Sequence, residues 1–244
     1  MAAPSPLSEL SKVIVLANAE VKPTHAGTVI SASPMAERML KALKGAILSH
    51  HPEINLEVLT PAMVHYHSFE ASQQTLLCPL TIDLPDQVEF TGRTVFEACR
   101  DIGARRQWVQ KHANHRICDQ NHLGDRWLPI IYTAKGPLYG EVIGEGEMPN
   151  SYYQPLDLDD AQRQSLYNLG YQLLDSINAT PSVYLLQFAF STEQEIMFDR
   201  LWPFPAAPAI ASISVQQPDL FTCHWRCITN QSIPDITIPS IPIE

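Results

Sequence analysis

Three groups of histidine and cysteine lie close enough along the chain to hold a metal or arm a nucleophile: His65 with His67; His112, His115, Cys118 and His122; and Cys223-His224 with Cys227. On a strand, His65 and His67 would share one face, the i,i+2 arrangement used by some metal sites. None of the three groups has the full ligand spacing of a structural zinc site, so ordinary hydrogen-bonded or surface histidines are the plainer reading. A cysteine nucleophile armed by histidine is equally weak, because Cys223 and His224 are adjacent and would point apart on a strand.

Charge offers a second kind of chemistry. Residues 93–116 carry Arg93, Arg100, Arg105, Arg106, Lys111 and Arg116 against Glu97 and Asp101, an excess of four positive charges on a chain whose net charge is -10. Between 119 and 160 the balance reverses, with eight acids against Arg126 and Lys135. The plain account is a solvated basic face beside an acidic one. The sharper account makes Arg100, Arg105, Arg106 and Lys111 a patch for a small anionic ligand or an acidic protein partner. Arg100 and Lys111 are expected to point together, flanked by Arg105 and Arg106. The overall acidity speaks against nucleic acid, whose binding needs a basic footprint.

The densest sequence signal lies between Ser182 and Ile228. Val183–Phe190 and Glu195–Leu201 are aliphatic, β-branched and aromatic runs separated by Ser191-Thr192-Glu193-Gln194, which reads as a hairpin with a four-residue loop. Trp202-Pro203-Phe204-Pro205 then ends the pairing, and Cys223-His224-Trp225-Arg226-Cys227 follows. This order resembles the C-terminal part of the ATP-grasp ligases, in particular the family of the phosphoribosylaminoimidazole carboxylase ATPase subunit, or N5-carboxyaminoimidazole ribonucleotide synthase. That family reads Val-Asn-Glu-Ile-Ala-Pro-Arg, then His-Asn-Ser-Gly-His, then Gln-Phe-Glu-x-His-x-Arg-Ala-Ile. The resemblance runs from about Asp125 onward and keeps Pro203, Phe221, His224, Arg226 and Ile228.

The chemical letters are the ones that depart. The family's metal-binding Asn-Glu pair falls on Asp199 and Arg200, its following arginine on Phe204, and its His-Asn-Ser-Gly-His on Ala206–Ile210. The carboxylate of the preceding strand falls on Leu186 or Gln187. An arginine cannot ligate the magnesium that such ligases hold against a triphosphate. Phosphate cradling also favours a glycine-rich loop, and this chain has ten glycines, none adjacent, with the acid-bearing Gly144-Glu145-Gly146 as its densest cluster. What the resemblance implies is therefore an ATP-grasp-like body with a degenerate metal and nucleotide site, a non-catalytic binding or regulatory module. Asp199, Arg200, His224 and Arg226 are its candidate ligand-binding residues. The alternative it implies is an ATP-dependent carboxylate-amine ligase with a rebuilt metal site, using Asp199 with Glu195 or another acid. ATP and magnesium would be cofactors only in that case.

Elements must position these residues, and the composition allows them. With 244 residues, 45% hydrophobic and 17% charged, the chain can bury one large core or two small ones. Val13–Ala17 is too short an apolar run to span a bilayer, no secretory leader is evident, and five scattered cysteines fit reduced thiols, so a soluble, cytoplasmic setting without a membrane role is expected. An oligomer is compatible with this composition. Lys12–Ala17, a helix opening at Ser33-Pro34, and Asn55–Leu59 predict a right-handed β-α-β unit. Pro61–Pro85 reads as irregular or a short strand around Leu76–Leu80.

Thr91–His112 predicts a second helix and Trp127–Ile143 a hairpin turning at Lys135-Gly136-Pro137. A third helix carries Leu166, Leu169, Leu173, Leu174 and Ile177 at helical period behind the acids of 157–160. The tail repeats Ile-Pro and should be extended. The expected class is α+β and ATP-grasp-like. The expected regions are an N-terminal α/β region at 1–120, a mostly antiparallel C-terminal sheet with flanking helices at 121–230, and the Ile-Pro-rich tail at 231–244.

Overall fold

The computed structural model describes residues 10–24, 27–66, 74–119 and 123–239. The chain divides into two compact units, Met1–Thr91 and Gly92–Glu244. The basic segment, drawn with the N-terminal region at 1–120, thus belongs to the second unit.

In the first unit, β1 (Lys12–Leu16) lies between β4 (Asn55–Leu59) and β5 (Thr75–Pro79), parallel to both. Its residues 13–16 are all buried, as expected of the centre of a parallel sheet. The crossover is α1 (Pro34–His50), where the Ser33 side chain accepts from Ala36 N–H at 3.2 Å and Pro34 opens the first turn. Met39, Leu40, Leu43, Ala46 and Ile47 are its buried residues. A hairpin of β2 (Ala19–Thr24) and β3 (Gly27–Ala32), absent from the sequence reading, intervenes between β1 and α1. Its Ala19-Glu20-Val21-Lys22-Pro23-Thr24 run has no clean alternation to announce a strand. His65 falls in a 3₁₀ turn, Met63–Tyr66, rather than on a strand, and His67 lies outside the described residues.

The second unit is built on a mixed, mostly antiparallel sheet in the order β10-β9-β7-β11-β12-β6, with β8 also on β7. The strands are β6 (Arg116–Ile117), β7 (Arg126–Thr133), β8 (Gly136–Tyr139), β9 (Val142–Glu145), β10 (Tyr152–Leu156), β11 (Ser182–Phe190) and β12 (Ile196–Trp202). Only the short β6 runs parallel to its neighbour, β12. Central β11 is buried from Ser182 to Ala189, which its near-continuous apolar run required. The β11–β12 hairpin closes with Ser191 N–H on Glu195 O at 2.9 Å and Gln194 in the left-handed region at φ 64°.

Helix α4 (Asp160–Ser176) begins with a full capping box: Asp159 accepts from Gln162 N–H at 2.8 Å, and the Gln162 side chain accepts from Asp159 N–H. Its Leu166, Leu169, Gly170, Leu173 and Leu174 are buried. At Gly170 an added Cβ would stand 2.6 Å from Ile130 Cδ1, so a glycine lets helix and sheet approach.

Two expectations change in this unit. The single helix expected over 91–112 is α2 (Arg93–Arg100), α3 (Ile102–Trp108) and a π-helical turn over Val109–Ala113. The break is at Asp101, whose side chain accepts from Ala104 N–H at 2.9 Å and so starts a new helix. The Cys-His-Trp-Arg-Cys run is not strand-like: Leu220–Ile228 forms α5, capped by Asp219, which accepts from Phe221 and Thr222 N–H at 2.8 and 2.9 Å. Beyond it, residues 231–239 run without regular structure apart from a bridge of Thr237 to Gln217.

Candidate functional site

Asp199 is where the metal-binding pair was expected, and it is fully buried on β12. A buried carboxylate needs a compensating charge and hydrogen bonds to all its oxygens. Arg106 supplies the charge from α3, its Nη2 donating to Oδ1 while its Nε donates to the Asp199 carbonyl at 3.0 Å. Gly124 N–H donates to Oδ2 at 2.8 Å, and Arg200 Nε adds a longer contact to Oδ1 at 3.3 Å. Gln187 joins the same network from β11: its Nε2 donates to Gly124 O at 2.6 Å, and its Oε1 accepts from Trp202 Nε1 at 2.9 Å. Arg200, half-buried, lays its guanidinium over the Trp202 ring at 5.6 Å.

This donor set does not fit magnesium, which needs oxygen ligands held open to it. Both oxygens of Asp199 already accept from cationic or backbone donors. Of the two positions on which a second carboxylate would fall, Leu186 is a buried apolar side chain and Gln187 donates through its amide to Gly124 O. Among the described residues no group of three or more His, Cys, Asp and Glu side chains is arranged to hold a metal ion.

His224 and Arg226, the other expected ligand-binding residues, lie in separate surroundings on α5. His224 is buried with Nδ1 accepting from Val183 N–H at 3.4 Å and 3.2 Å from Ser182 Oγ. Burial pushes its pKa down to about 3, so the ring is neutral at physiological pH. Arg226 donates from Nη1 to Ser232 O at 2.8 Å and ties the tail to the helix. Cys223 and Cys227, one turn apart, are both buried free thiols whose pKa burial raises, Cys227 to about 12; neither is a ready thiolate.

The basic patch is divided by the fold. Arg100 and Lys111 are exposed, Arg105 is half-buried with its Nε atom enclosed, and Arg106 turns inward to Asp199. The patch therefore presents at most three of its four expected members. Arg106's inward role had a sequence signal: Cys99, Ile102 and Val109 mark an apolar stripe, and Arg106 stands on it at i+4 from Ile102 and i-3 from Val109.

A cavity of about 710 Å³ opens elsewhere in the second unit, where four segments meet. The π-helical turn contributes Gln110 and, just past its end, Asn114 and His115. Strand β6 contributes Arg116, the first turns of α4 contribute Asp159, Ala161, Gln162 and Ser165, and the β11–β12 hairpin contributes Gln194, Glu195 and Ile196. Arg116 is pinned by Glu195 at 2.9 Å and Glu193 at 3.4 Å. Burial lowers the pKa of His115 and favours its neutral ring. Of this set the sequence marks His115 as a possible metal ligand, Arg116 as part of the basic segment, Asp159 among the acids before the third helix and Glu195 as a possible partner of Asp199; the amides, scattered on three elements, carry no local signature. His122 lies outside the described residues.

No protein-family model matches the chain. Formate-dependent phosphoribosylglycinamide formyltransferases of two Prochlorococcus marinus strains are 25% identical over 114 residues, 46% of this chain and only 29% of those relatives. Glycinamide-RNase-transformylase T from Mycobacterium tuberculosis superposes with a TM-score of 0.60 at 12% identity, over 91% of this chain and 80% of that one. N5-carboxyaminoimidazole synthetase from Staphylococcus aureus gives 0.65 at 8% identity, over 93% and 80%. The corresponding synthase from Aspergillus clavatus, solved with ADP and 5-aminoimidazole ribonucleotide, gives 0.63 at 10%, over 93% and 78%. The chain has the α+β fold of these ATP-grasp enzymes, the fold its Ser182–Ile228 segment resembles in sequence.

Proposed function

We propose that this chain is an ATP-grasp-like body with a degenerate metal and nucleotide site, acting as a non-catalytic binding or regulatory module, with the cytoplasm as its setting. The observation that carries this reading is Asp199: the carboxylate on β12, where the resembled family holds its metal, is buried and engaged by Arg106, Arg200 and Gly124 N–H. Opening it to a cation would leave the guanidinium of Arg106 without its partner, at a cost of several kcal/mol. Fold alone does not carry activity, because the chemistry of a fold lives in its site. The exposed part of the basic segment, Arg100 and Lys111, remains the proposed contact for a small anion or an acidic protein. No helix among the described residues is long and apolar enough to cross a membrane.

The second reading, an ATP-dependent carboxylate-amine ligase with a rebuilt metal site, is favoured by the similarity to the formyltransferases. It would use Asp199 with Glu195 or another carboxylate of the acidic region; Asp199 is enclosed, and Glu195 is exposed and bridged to Arg116. Calorimetric titration with Mg-ATP, alongside a phosphate-release assay, separates the two. The module reading expects no turnover and at best weak, magnesium-independent ATP binding. A micromolar affinity that requires magnesium overturns it in favour of the ligase.

A further inference from the structure

We propose that the cavity between the π-helical turn, the start of α4 and the β11–β12 hairpin binds a small organic amine of the polyamine class, its ammonium held by carboxylate and amide oxygens. This rests on the binding-module reading and assigns it a ligand.

Charge comes first. The cavity carries two carboxylates, Asp159 and Glu195, against one arginine. That arginine, Arg116, is held between Glu193 and Glu195, so its charge is answered before any ligand arrives. The start of α4 would ordinarily attract an anion, but Asp159 caps it and Asp160 sits in its first turn. His115 adds no cation, since burial favours its neutral ring. A phosphate or carboxylate entering here meets a net negative wall on a chain of net charge -10.

The remaining groups are hydrogen-bonding oxygens and nitrogens. Gln110, Asn114 and Gln194 line the cavity, and their side-chain amides make no hydrogen bond to other described residues. Asp159 accepts from Gln162 N–H through Oδ1, and Glu195 meets Arg116 through Oε2, which leaves Asp159 Oδ2 and Glu195 Oε1 for a ligand. An ammonium is a donor-only group with three protons, complementary to such a ring of acceptors. Among the described residues no Phe, Tyr or Trp lines the cavity, so a nucleobase would find only the His115 ring to stack on. Among the described residues Ile196 and Ala161 are its only apolar lining, too little for an apolar ligand. The volume lies within the usual range of about 300–1,000 Å³ for small-molecule sites.

The test is calorimetric titration of the full chain with spermidine, with ribose and inorganic phosphate as neutral and anionic counterparts. One-to-one saturable binding of spermidine is expected, weakened at least tenfold by Glu195→Gln and more modestly by Gln110→Ala, with no saturable heat from ribose or phosphate. Asp175→Asn, an exposed change of the same charge on α4 away from the cavity, should leave the affinity within a factor of two. Equal weakening by Glu195→Gln and Asp175→Asn would mean bulk attraction to an acidic protein and would overturn the site. Absence of saturable spermidine binding overturns it outright, and saturable binding of ribose or phosphate overturns the amine assignment. The Mg-ATP titration is independent of each of these outcomes, so either proposal can fail while the other stands.

Discussion

The Asp199 cluster and the amide-lined cavity are both polar and both belong to the second unit, but they treat their polar groups in opposite ways. Around Asp199 the network is internally paired: Arg106, Gly124, Gln187 and Trp202 donate into a closed set of acceptors. Around the cavity, Gln110, Asn114 and Gln194 have side-chain amides with no partner among the described residues. A paired interior network fixes the packing of α3 against β12 and has little left to offer a ligand. The unpaired rim contributes little to the fold and keeps its hydrogen-bonding capacity. The position that family resemblance marks as chemical is thus structural in this chain, while the available chemistry sits where no motif points.

The largest test of that contrast is Arg106→Met. It leaves the buried Asp199 carboxylate with only the longer Arg200 contact as counter-charge and should destabilise the protein by about 3–5 kcal/mol in chemical denaturation. Adding Asp199→Asn should recover a substantial part of the loss, because the charge needing compensation is then gone. If Arg106→Met alone leaves stability unchanged, the cluster is not the structural unit described, and Asp199 is free for other work.

His224 gives the next effect and is read against pH. Its folded pKa of about 3 lies below the ordinary 6.5, so the unfolded chain binds the proton that the folded chain refuses. Stability is therefore full above about pH 6.5 and falls as pH drops toward 3, at up to about 1.4 kcal/mol per pH unit. His224→Leu should flatten that part of the pH profile, even if it lowers stability at pH 7 by disturbing the Ser182 contact. An unchanged slope would assign the acid sensitivity to other groups.

A smaller loss is expected of Gly124→Ala. A Cβ there would lie 2.8 Å from Gln187 Cγ and 2.9 Å from the backbone N and O of Phe188, neighbours that cannot swing aside. Overpacking of this kind costs about 1–3 kcal/mol. It should also loosen the hydrogen bond from Gly124 N–H to Asp199, which amide exchange at Gly124 would report. Slow exchange retained in the variant would show that the network tolerates the added methyl.

Much of the frame was legible in the sequence, for identifiable reasons. The runs that became β11 and β12 are apolar enough to be strands whatever surrounds them, and α4 announced itself through a leucine stripe behind acidic caps. Ser33-Pro34 marked the start of α1 because both residues act locally. The failures share the opposite property. Thr91–His112 has helical periodicity throughout, so nothing in the pattern revealed that Asp101 would cap a second helix. Leu220–Ile228 receives no element from the sequence reading, although Asp219, a strong N-cap, is a local guide to the helix that forms there. The pairing of Arg106 with Asp199 spans 93 residues, a distance at which pattern reading has no purchase. Arg106 was read as one of four surface charges, although its place on the apolar stripe of α3 said otherwise.

That misreading yields the smallest and sharpest prediction, since two cations of one basic segment should respond in opposite ways. Lys111 is exposed on the π-helical turn and appears in no ion pair among the described residues, while Arg106 is bridged to Asp199. Lys111→Glu should change stability by no more than about 0.5 kcal/mol, because surface substitutions away from caps and networks rarely do more. Arg106→Glu should unfold the protein, because it places a second carboxylate against a buried one. If Lys111 contributes to a patch for an acidic partner, its reversal should reduce capture of a polyglutamate probe at low salt without moving the melting temperature, and the difference should shrink as salt screens the interaction. Equal loss of stability at the two positions would mean that Lys111 too is part of the packed body, and the division between an inward and an outward face of this segment would fail.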